Sequence, residues 1–385
     1  MKNIAINLVP ISKGGGLQNA LSFILWLKKQ PPISFTPIIL CQSNSIIEET
    51  VKNSNIKYIA IRNTFKSRLI FEFFLARKIM KQQKVKLVFT LFGPPPFSTP
   101  ANVTKISGFA YSNLLQPEVD FWGFLPPHKK LLKNLIDFFR FHQSANSDVI
   151  ILETDYLKRR AFETKFAMKE IHVVKMAPGQ AVLDSISVNT EATSNVEFID
   201  IAYISGAHPN KRIHLLVNIF AALNKDNNSN LKFRLVTTLP EKSDYLLNIQ
   251  QEFNRLGANE YHKNIGSIEP AKVGDVLMTV DGIINIALLE SFSNNWVEAW
   301  AAQLPLITTD ADWARHSCES AAIYIDPNNA DDAAEKIFSL YKSGAHKKDI
   351  VAEGTRMLNS LPTPQEKYLK FIQIINNSLK VTNEI

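Results

Sequence analysis

The sequence predicts an α/β protein made of two successive parallel-sheet domains covered by helices. Three observations carry that prediction. The chain has 385 residues, beyond the size at which a single hydrophobic core usually keeps growing. Short apolar runs alternate with amphipathic stretches along both halves, the pattern of strand–helix–strand units. Residues 184–195 (Asp-Ser-Ile-Ser-Val-Asn-Thr-Glu-Ala-Thr-Ser-Asn) are polar and short-sided, the composition of an interdomain linker. With 45% hydrophobic and 21% charged residues, the chain has enough apolar material for a packed core and is not of disordered type.

In the first half, strands are expected at 3–9, 37–41, 57–61, 85–92 and 148–152, and helices at 17–29, 46–53 and 67–82. Gly93 and Pro94-Pro95-Pro96 break the alternation, as residues unable to continue a helix or ladder should. After the linker, strands are expected at 198–204, 232–237, 282–287, 305–308 and 322–325. Helices are expected between them at 212–223, 243–256, 297–302 and 330–341. Each half is therefore Rossmann-like, with domains at 1–182 and 183–362 and a terminal helix over 363–385 packing back on the first domain. Ligands of such sheets bind beyond the carboxyl ends of the strands, so two domains facing each other predict a central cleft.

Charge is divided unevenly. Residues 1–180 hold 25 Lys and Arg against 11 Asp and Glu, and the remainder holds 18 against 25. A basic first domain fits an anionic partner, such as an anionic membrane surface; nucleic acid is disfavoured because no recognition motif accompanies the charge. The two cysteines, Cys41 and Cys318, form no CxxC pair and predict buried thiols in a reducing compartment. The apolar run at 4–9 is interrupted by Asn7 and reads as a strand, not a signal core. The location expected is cytoplasmic, with peripheral attachment at the inner membrane face as an extension.

Two segments are candidates for chemistry. Gly14-Gly15-Gly16 follows the first strand and precedes a helix, where glycine permits close ligand approach and the helix start favours an anion. A tight structural turn is the alternative. Glu290 and Glu298 bracket a polar bend between a buried strand and a helix starting near Asn295. Their spacing alone means little, since Glu252 and Glu260 share it, but the strand–bend–helix frame places both carboxylates at a ligand-binding edge.

That frame is recognisable. Ala287-Leu-Leu-Glu-Ser-Phe-Ser-Asn-Asn-Trp-Val-Glu-Ala-Trp-Ala-Ala-Gln-Leu-Pro-Leu-Ile307 resembles the signature of the family 4 (group 1) retaining glycosyltransferases. The resemblance extends upstream to Tyr203-Ile-Ser-Gly-Ala-His-Pro-Asn-Lys-Arg212 and downstream through Asp310-Ala-Asp-Trp to Ala321–Pro327. It implies the GT-B fold, two Rossmann-like domains with a C-terminal helix crossing back to the first. It also implies sugar transfer from a nucleoside diphosphate to a hydroxyl of a cell-surface glycan or lipid-linked acceptor. By the resemblance, Glu290 contacts the transferred sugar and Glu298 the ribose, and backbone N–H groups of Ser293 and Asn294 approach the diphosphate. Ser291, Phe292 and Asn295 line the same bend. Lys211 meets phosphate near Gly206, and Gly14, Gly15 and Gly16 form the first-domain glycine loop.

The chain departs from that pattern at several points. Ala207 stands where the family carries arginine, so Arg212 is the candidate for the second donor charge. Ser293 and Gln303 stand in glycine positions. The usual first-domain histidine is absent from Ile106–Ser112, leaving Tyr111 as its substitute on the acceptor side. Asp310-Ala-Asp312 looks like a metal-binding DxD, but in this frame Lys211 and helix dipoles are expected to neutralise the diphosphate, with no metal or other cofactor. The alternatives are a nucleotide-sugar epimerase and a non-catalytic nucleotide-sugar-binding partner in glycan assembly.

Two basic stretches complete the reading. The segment 66–86 interleaves Phe71, Phe73 and Phe74 with Arg68, Arg77, Lys78, Lys81 and Lys84 and reads as a core-facing helix with a solvated basic face. For 128–140 a core-facing helix and a helix at a bilayer surface both remain open.

Overall fold

The structure, a computed structural model, describes residues 1–30, 33–188, 197–225 and 230–381. It divides into two units, Met1–Met176 with Pro362–Ile385, and Ala177–Leu361.

The first unit runs β1 (Lys2–Asn7), α1 (Gly14–Lys29), β2 (Phe35–Gln42), α2 (Ile46–Lys52), β3 (Lys57–Ile61), α3 (Phe65–Ile70), a π-helical turn Phe71–Leu75, and α4 (Ala76–Gln82). It continues β4 (Val85–Thr90), β5 (Thr104–Gly108), α5 (Pro127–Ala145), β6 (Val149–Leu152), α6 (Asp155–Phe162) and β7 (Glu170–Val173). Its strands form a parallel sheet in the order β3-β2-β1-β4-β5-β6-β7. The interior strand β6 is buried along its whole length, as a sheet covered on both faces requires.

The second unit runs α7 (Gln180–Val188), β8 (Ile199–Tyr203), α8 (Leu216–Leu223), β9 (Phe233–Thr237), α9 (Asp244–Arg255), β10 (His262–Asn264), α10 (Val273–Leu277) and β11 (Gly282–Asn285). Then follow α11 (Asn294–Ala301), β12 (Leu306–Thr309), α12 (Asp312–Cys318), β13 (Ile323–Ile325), α13 (Ala330–Lys342) and α14 (Gly344–Ser360). Its parallel sheet has the order β10-β9-β8-β11-β12-β13. The last helix, α15 (Pro364–Val381), returns to the first unit, where Tyr368 and Phe371 pack among Phe23 and Phe89.

Three observed strands, β5, β7 and β10, were not expected. β7 and β10 are edge strands of partly exposed residues, so neither shows the apolar run that marks a covered strand. The expected linker is also shorter than its composition suggested. Residues 180–188 form α7, which belongs to the second unit, and Gly274 of α10 approaches Ser185 so closely that a Cβ would overlap it. The rest of that linker, 189–196, lies outside the described residues. Among the described residues, no helix is long and apolar enough to cross a membrane.

α2, α6 and α9 begin on Ser45, Thr154 and Ser243, whose side chains accept a first-turn N–H. α1 and α11 begin with no side-chain cap, as do α5, α8, α10 and α12.

Candidate active site

In each sheet the chain reverses its direction of strand addition beside the first strand, between β1 and β4 and between β8 and β11. Loops leaving two such neighbouring strands diverge and open a crevice at the carboxyl edge. In the second unit, the β8 loop carries Gly206, Lys211 and Arg212, and the β11 loop carries Glu290 to Ser293. The switch point therefore brings together residues that lie far apart in sequence.

The two loops are knitted by the backbone. Leu288 N–H donates to the Asn210 carbonyl at 2.8 Å, and Asn210 Nδ2 donates to the Leu289 carbonyl at 3.0 Å. This clamp sets Lys211 and Glu290 side by side, and Lys211 Nζ donates to Glu290 Oε1 in an ion pair. Both side chains remain partly accessible. Below them, buried Asn285 organises the bend: it accepts from Tyr203 Oη at 3.1 Å and from Ala287 N–H at 3.0 Å, and its Nδ2 donates to Ser293 Oγ at 2.6 Å. Because the Ser293 hydroxyl is turned to Asn285, it does not cap α11. The helix start at Ser293–Asn295 thus keeps the donor-rich character that suits an anion.

Glu298 is the fifth residue of α11, in its second turn, and 7% exposed. Burial pushes its carboxyl up to about 7, against the pull of the Asn295 amide and the Lys211 charge. Asn295 Nδ2 donates to Glu298 Oε2 at 3.1 Å and to the Ile204 carbonyl at 3.0 Å, tying the helix to the β8 loop. Phe292 packs edge-on against Trp296, which stacks on Trp313 at 5.6 Å, walling the bend with aromatic surface. The buried atoms Asn210 Oδ1 and Ser291 Oγ have no hydrogen-bond partner in the protein, although buried polar atoms are normally paired. Both belong to the clamp and bend that present the ion pair.

The structure gives Arg212 a different occupation from the donor charge expected of it. Its Nε donates to the Ile286 carbonyl at 2.9 Å, and its Nη2 to the Ala287 carbonyl at 3.2 Å and Thr309 Oγ1 at 2.8 Å. The left-handed backbone at Arg212 (φ 51°) turns it beneath the loop, so the guanidinium braces the bend. Gly206 is exposed on the β8 loop with nothing crowding its Cα. Asp310 is gripped at both oxygens by Arg315, at 2.5 and 2.8 Å, which holds its carboxyl below the usual range. A carboxylate so paired is a poor metal ligand. The DxD pattern has its own protein partner.

In the first unit, Gly14 begins α1 with φ +66°, a left-handed conformation that favours glycine, whereas Gly16 makes only ordinary contacts near Phe92 and Ile11. The loop is braced by Asn19, whose Nδ2 donates to the Gly15 carbonyl at 3.0 Å and whose Oδ1 accepts from Lys367 of α15. Lys367 is buried, and desolvation lowers its ammonium to about 8. Tyr111 lies beyond β5, near Gly93, with the Arg140 guanidinium 5.0 Å from its ring centroid.

Asn285 and Asn210 were missed from the sequence. The signal for Asn285 was a lone polar residue inside the apolar run Gly282-Ile-Ile-Asn-Ile-Ala. Asn210 offered none, because its role depends on which strand lies next to β8.

Residues 189–357 match the family model described as glycosyl transferases group 1. The match lies within the second unit and spans both loops of the site. The whole chain is similar in fold to a glycosyltransferase from Rickettsia africae ESF-5 (17% identity, TM-score 0.73, covering 98% of this chain and 99% of that one). It is likewise similar to sucrose-phosphate synthase from Thermosynechococcus elongatus (13%, TM-score 0.72, 99% and 100%). A third structure is Anabaena HepE, solved with UDP and glucose (13%, TM-score 0.68, 98% and 100%). At these identities the likeness is one of fold, and that fold is GT-B. No curated protein matches the sequence.

Proposed function

We propose that the chain moves a sugar from a nucleoside-diphosphate sugar to a hydroxyl of a lipid-linked or cell-surface glycan acceptor, with retention at the anomeric carbon. The observation that carries this reading is the Lys211–Glu290 pair at the switch point of the second sheet, beside the uncapped start of α11. In this reading the diphosphate takes the Lys211 ammonium and the N–H groups at Ser293 and Asn294. Glu290, released from Lys211, accepts from hydroxyls of the sugar, and Glu298 from the ribose. That Anabaena HepE was solved with UDP-glucose supports a donor of this class.

The bond from the acceptor oxygen to the anomeric carbon forms on the face from which the bond to the diphosphate oxygen breaks. The acceptor proton passes to that departing oxygen, so no protein base is required. The protein aligns the substrates and neutralises charge growing on the diphosphate, the task of a preorganised cation and helix start. No metal enters this scheme, and the site of action is the cytoplasmic side of a membrane.

The test is donor consumption with acceptor, followed by NMR of the anomeric configuration, in the wild type and in Lys211→Ala and Glu290→Ala. Loss of turnover in both variants and a retained anomer are expected. Near-normal turnover in both sinks the assignment. An isomeric nucleotide-sugar formed without acceptor marks an epimerase instead, and nucleotide binding with no consumption marks a non-catalytic partner.

A further inference from the structure

α5 turns most of its large apolar side chains outward. The side chains it buries include Asp137, Gln143 and Ser144, while Leu131, Leu132, Leu135, Phe138 and Phe139 are 51–71% exposed. At roughly 100° per residue these five large apolar groups fall in one arc of less than half the circumference. The helix is held in this rotation by polar contacts and by half-buried Phe141, which stacks on buried Phe166 at 4.9 Å. The Asp137 carboxylate accepts from Asn113 Nδ2 and Trp122 Nε1, both at 2.7 Å, and from Arg140 Nη1 at 3.0 Å, and Gln143 Nε2 donates to the Pro95 carbonyl at 2.8 Å. Turning the apolar arc inward would strip a buried carboxylate of its partners, so the fold itself commits the arc to the outside.

A second apolar set stands with it. Phe65, Leu69 and Ile70 of α3, and Phe73 and Phe74 of the π-helical turn, are 42–80% exposed, and Phe73 stacks on exposed Phe97 at 5.0 Å. The expectation of a core-facing helix at 66–86 therefore holds for Phe71 and not for Phe73 or Phe74. The loop 93–98 ties this segment to α5: Ser98 N–H donates to the Glu72 carbonyl, and Pro95 accepts from Gln143. By contrast, the described residues of the second unit expose two large apolar side chains, Leu247 and Leu256. An apolar surface so concentrated in one unit marks something that covers it.

Charge says what covers it. Lys66, Arg68, Arg77, Lys78, His128 and Lys129 are exposed around the two sets. The acids in residues 62–84 and 124–142 are Glu72, half-buried, and Asp137, buried and paired; outside them, exposed Asp120 is paired with Lys130 of α5 at 2.7 Å. A surface of basic residues around exposed aromatic and aliphatic groups repels a second copy of itself and matches an anionic bilayer, where long basic side chains reach headgroups while apolar ones enter the acyl boundary.

We propose that α5 and the Phe65–Leu75 segment together form the face by which this protein docks on an anionic lipid bilayer. Leu131, Leu135, Phe138 and Phe74 enter the apolar boundary, and the six basic residues meet the headgroups. The face borders Tyr111, which feels both Arg68 and Arg140 at the carboxyl edge of the first sheet. A lipid-linked acceptor would thus arrive at the edge where ligands of such a sheet bind. That last point rests on the proposed function; the docking does not.

The experiment is co-sedimentation of the full chain with phosphatidylcholine vesicles and with phosphatidylcholine–phosphatidylglycerol vesicles, at low and high salt. The variants are Leu135→Glu with Phe138→Glu, and Leu247→Glu in the second unit as control. All three positions are exposed, and unchanged thermal unfolding confirms folding. We expect binding to the anionic vesicles, weakened by salt, a loss of at least about tenfold in the double variant, and no change in the control. No binding by the wild type, or equal binding by wild type and double variant, overturns the proposal. A dimer in light scattering that the double variant abolishes, without vesicle binding, overturns it in favour of a second copy. Donor consumption with a detergent-dispersed acceptor is read in parallel, so vesicle binding without consumption retains the docking and removes the proposed function.

Discussion

The Lys211 ammonium and the Glu290 carboxylate form an ion pair across 79 positions of sequence, each delivered by a loop from one of two neighbouring strands. The pair is partly accessible, with side chains 25% and 10% exposed. Lys211→Ala removes the cation that would meet a diphosphate and should lower turnover by about 10²–10³-fold. Glu290→Ala should do the same through the sugar. Neither should cost more than about 2 kcal/mol of stability, because each partner keeps some solvent. Steady-state kinetics beside denaturant unfolding separates the two effects; a collapse of stability without a kinetic loss would make the pair structural.

Glu298 predicts a pH dependence of stability. Its carboxyl is pushed up to about 7 by burial, from an ordinary value of 4.5. Below 4.5 the folded and unfolded states are both protonated. Between 4.5 and about 7 the folded state holds a proton that the unfolded state has lost, so the contribution falls as pH rises through that window. The loss amounts to about 3 kcal/mol. Glu298→Gln cannot ionise and should show a flatter stability profile across the window, overtaking the wild type at its upper end. Parallel profiles for the two proteins would show that Glu298 does not carry the effect.

Arg212 predicts a separation of stability from donor affinity. Its three hydrogen bonds, to the carbonyls of Ile286 and Ala287 and to Thr309 Oγ1, brace the loop that presents Glu290. Arg212→Ala leaves carbonyls without their donor and should cost about 2–4 kcal/mol, with turnover falling as the bend loosens. Arg212→Lys should recover part of the stability, since one ammonium cannot reproduce the guanidinium fork. If instead Arg212→Ala leaves unfolding unchanged and weakens nucleotide binding, Arg212 serves the donor directly.

The frame of the candidate site was legible where it lies in one continuous stretch. Glu290 to Ser293 form the bend between a buried strand and the helix that carries Glu298, a frame readable from local pattern alone. The partner of Glu290 was named as a candidate too, but its contact required the order of strands, which local pattern does not contain. Arg212 shows the same limit: its charge was visible, its direction was not, because a left-handed backbone turns it under the loop. In α5 the periodicity marked an amphipathic helix yet left its rotation open, since that depends on Asn113 and Trp122 reaching Asp137 from an irregular segment.

Gln303 predicts a gain of stability at a position where the resembled family carries glycine. After α11 the chain closes with Gln303 N–H donating to the Trp300 carbonyl at 3.2 Å and Leu304 N–H to the Ala299 carbonyl at 2.9 Å. That closure holds Gln303 at φ 54°, where a Cβ crowds its own backbone at a cost of about 1 kcal/mol. Its side chain is exposed, so removing it sacrifices little packing. Glycine frees the strain but also loosens the unfolded chain, and the two effects together leave a gain of about 0.5 kcal/mol. Gln303→Gly should therefore raise the denaturation midpoint, and Gln303→Ala, which keeps the Cβ, should not. A midpoint raised equally by both would trace the change to the glutamine side chain, and one lowered by Gln303→Gly would show that the left-handed turn is not strained.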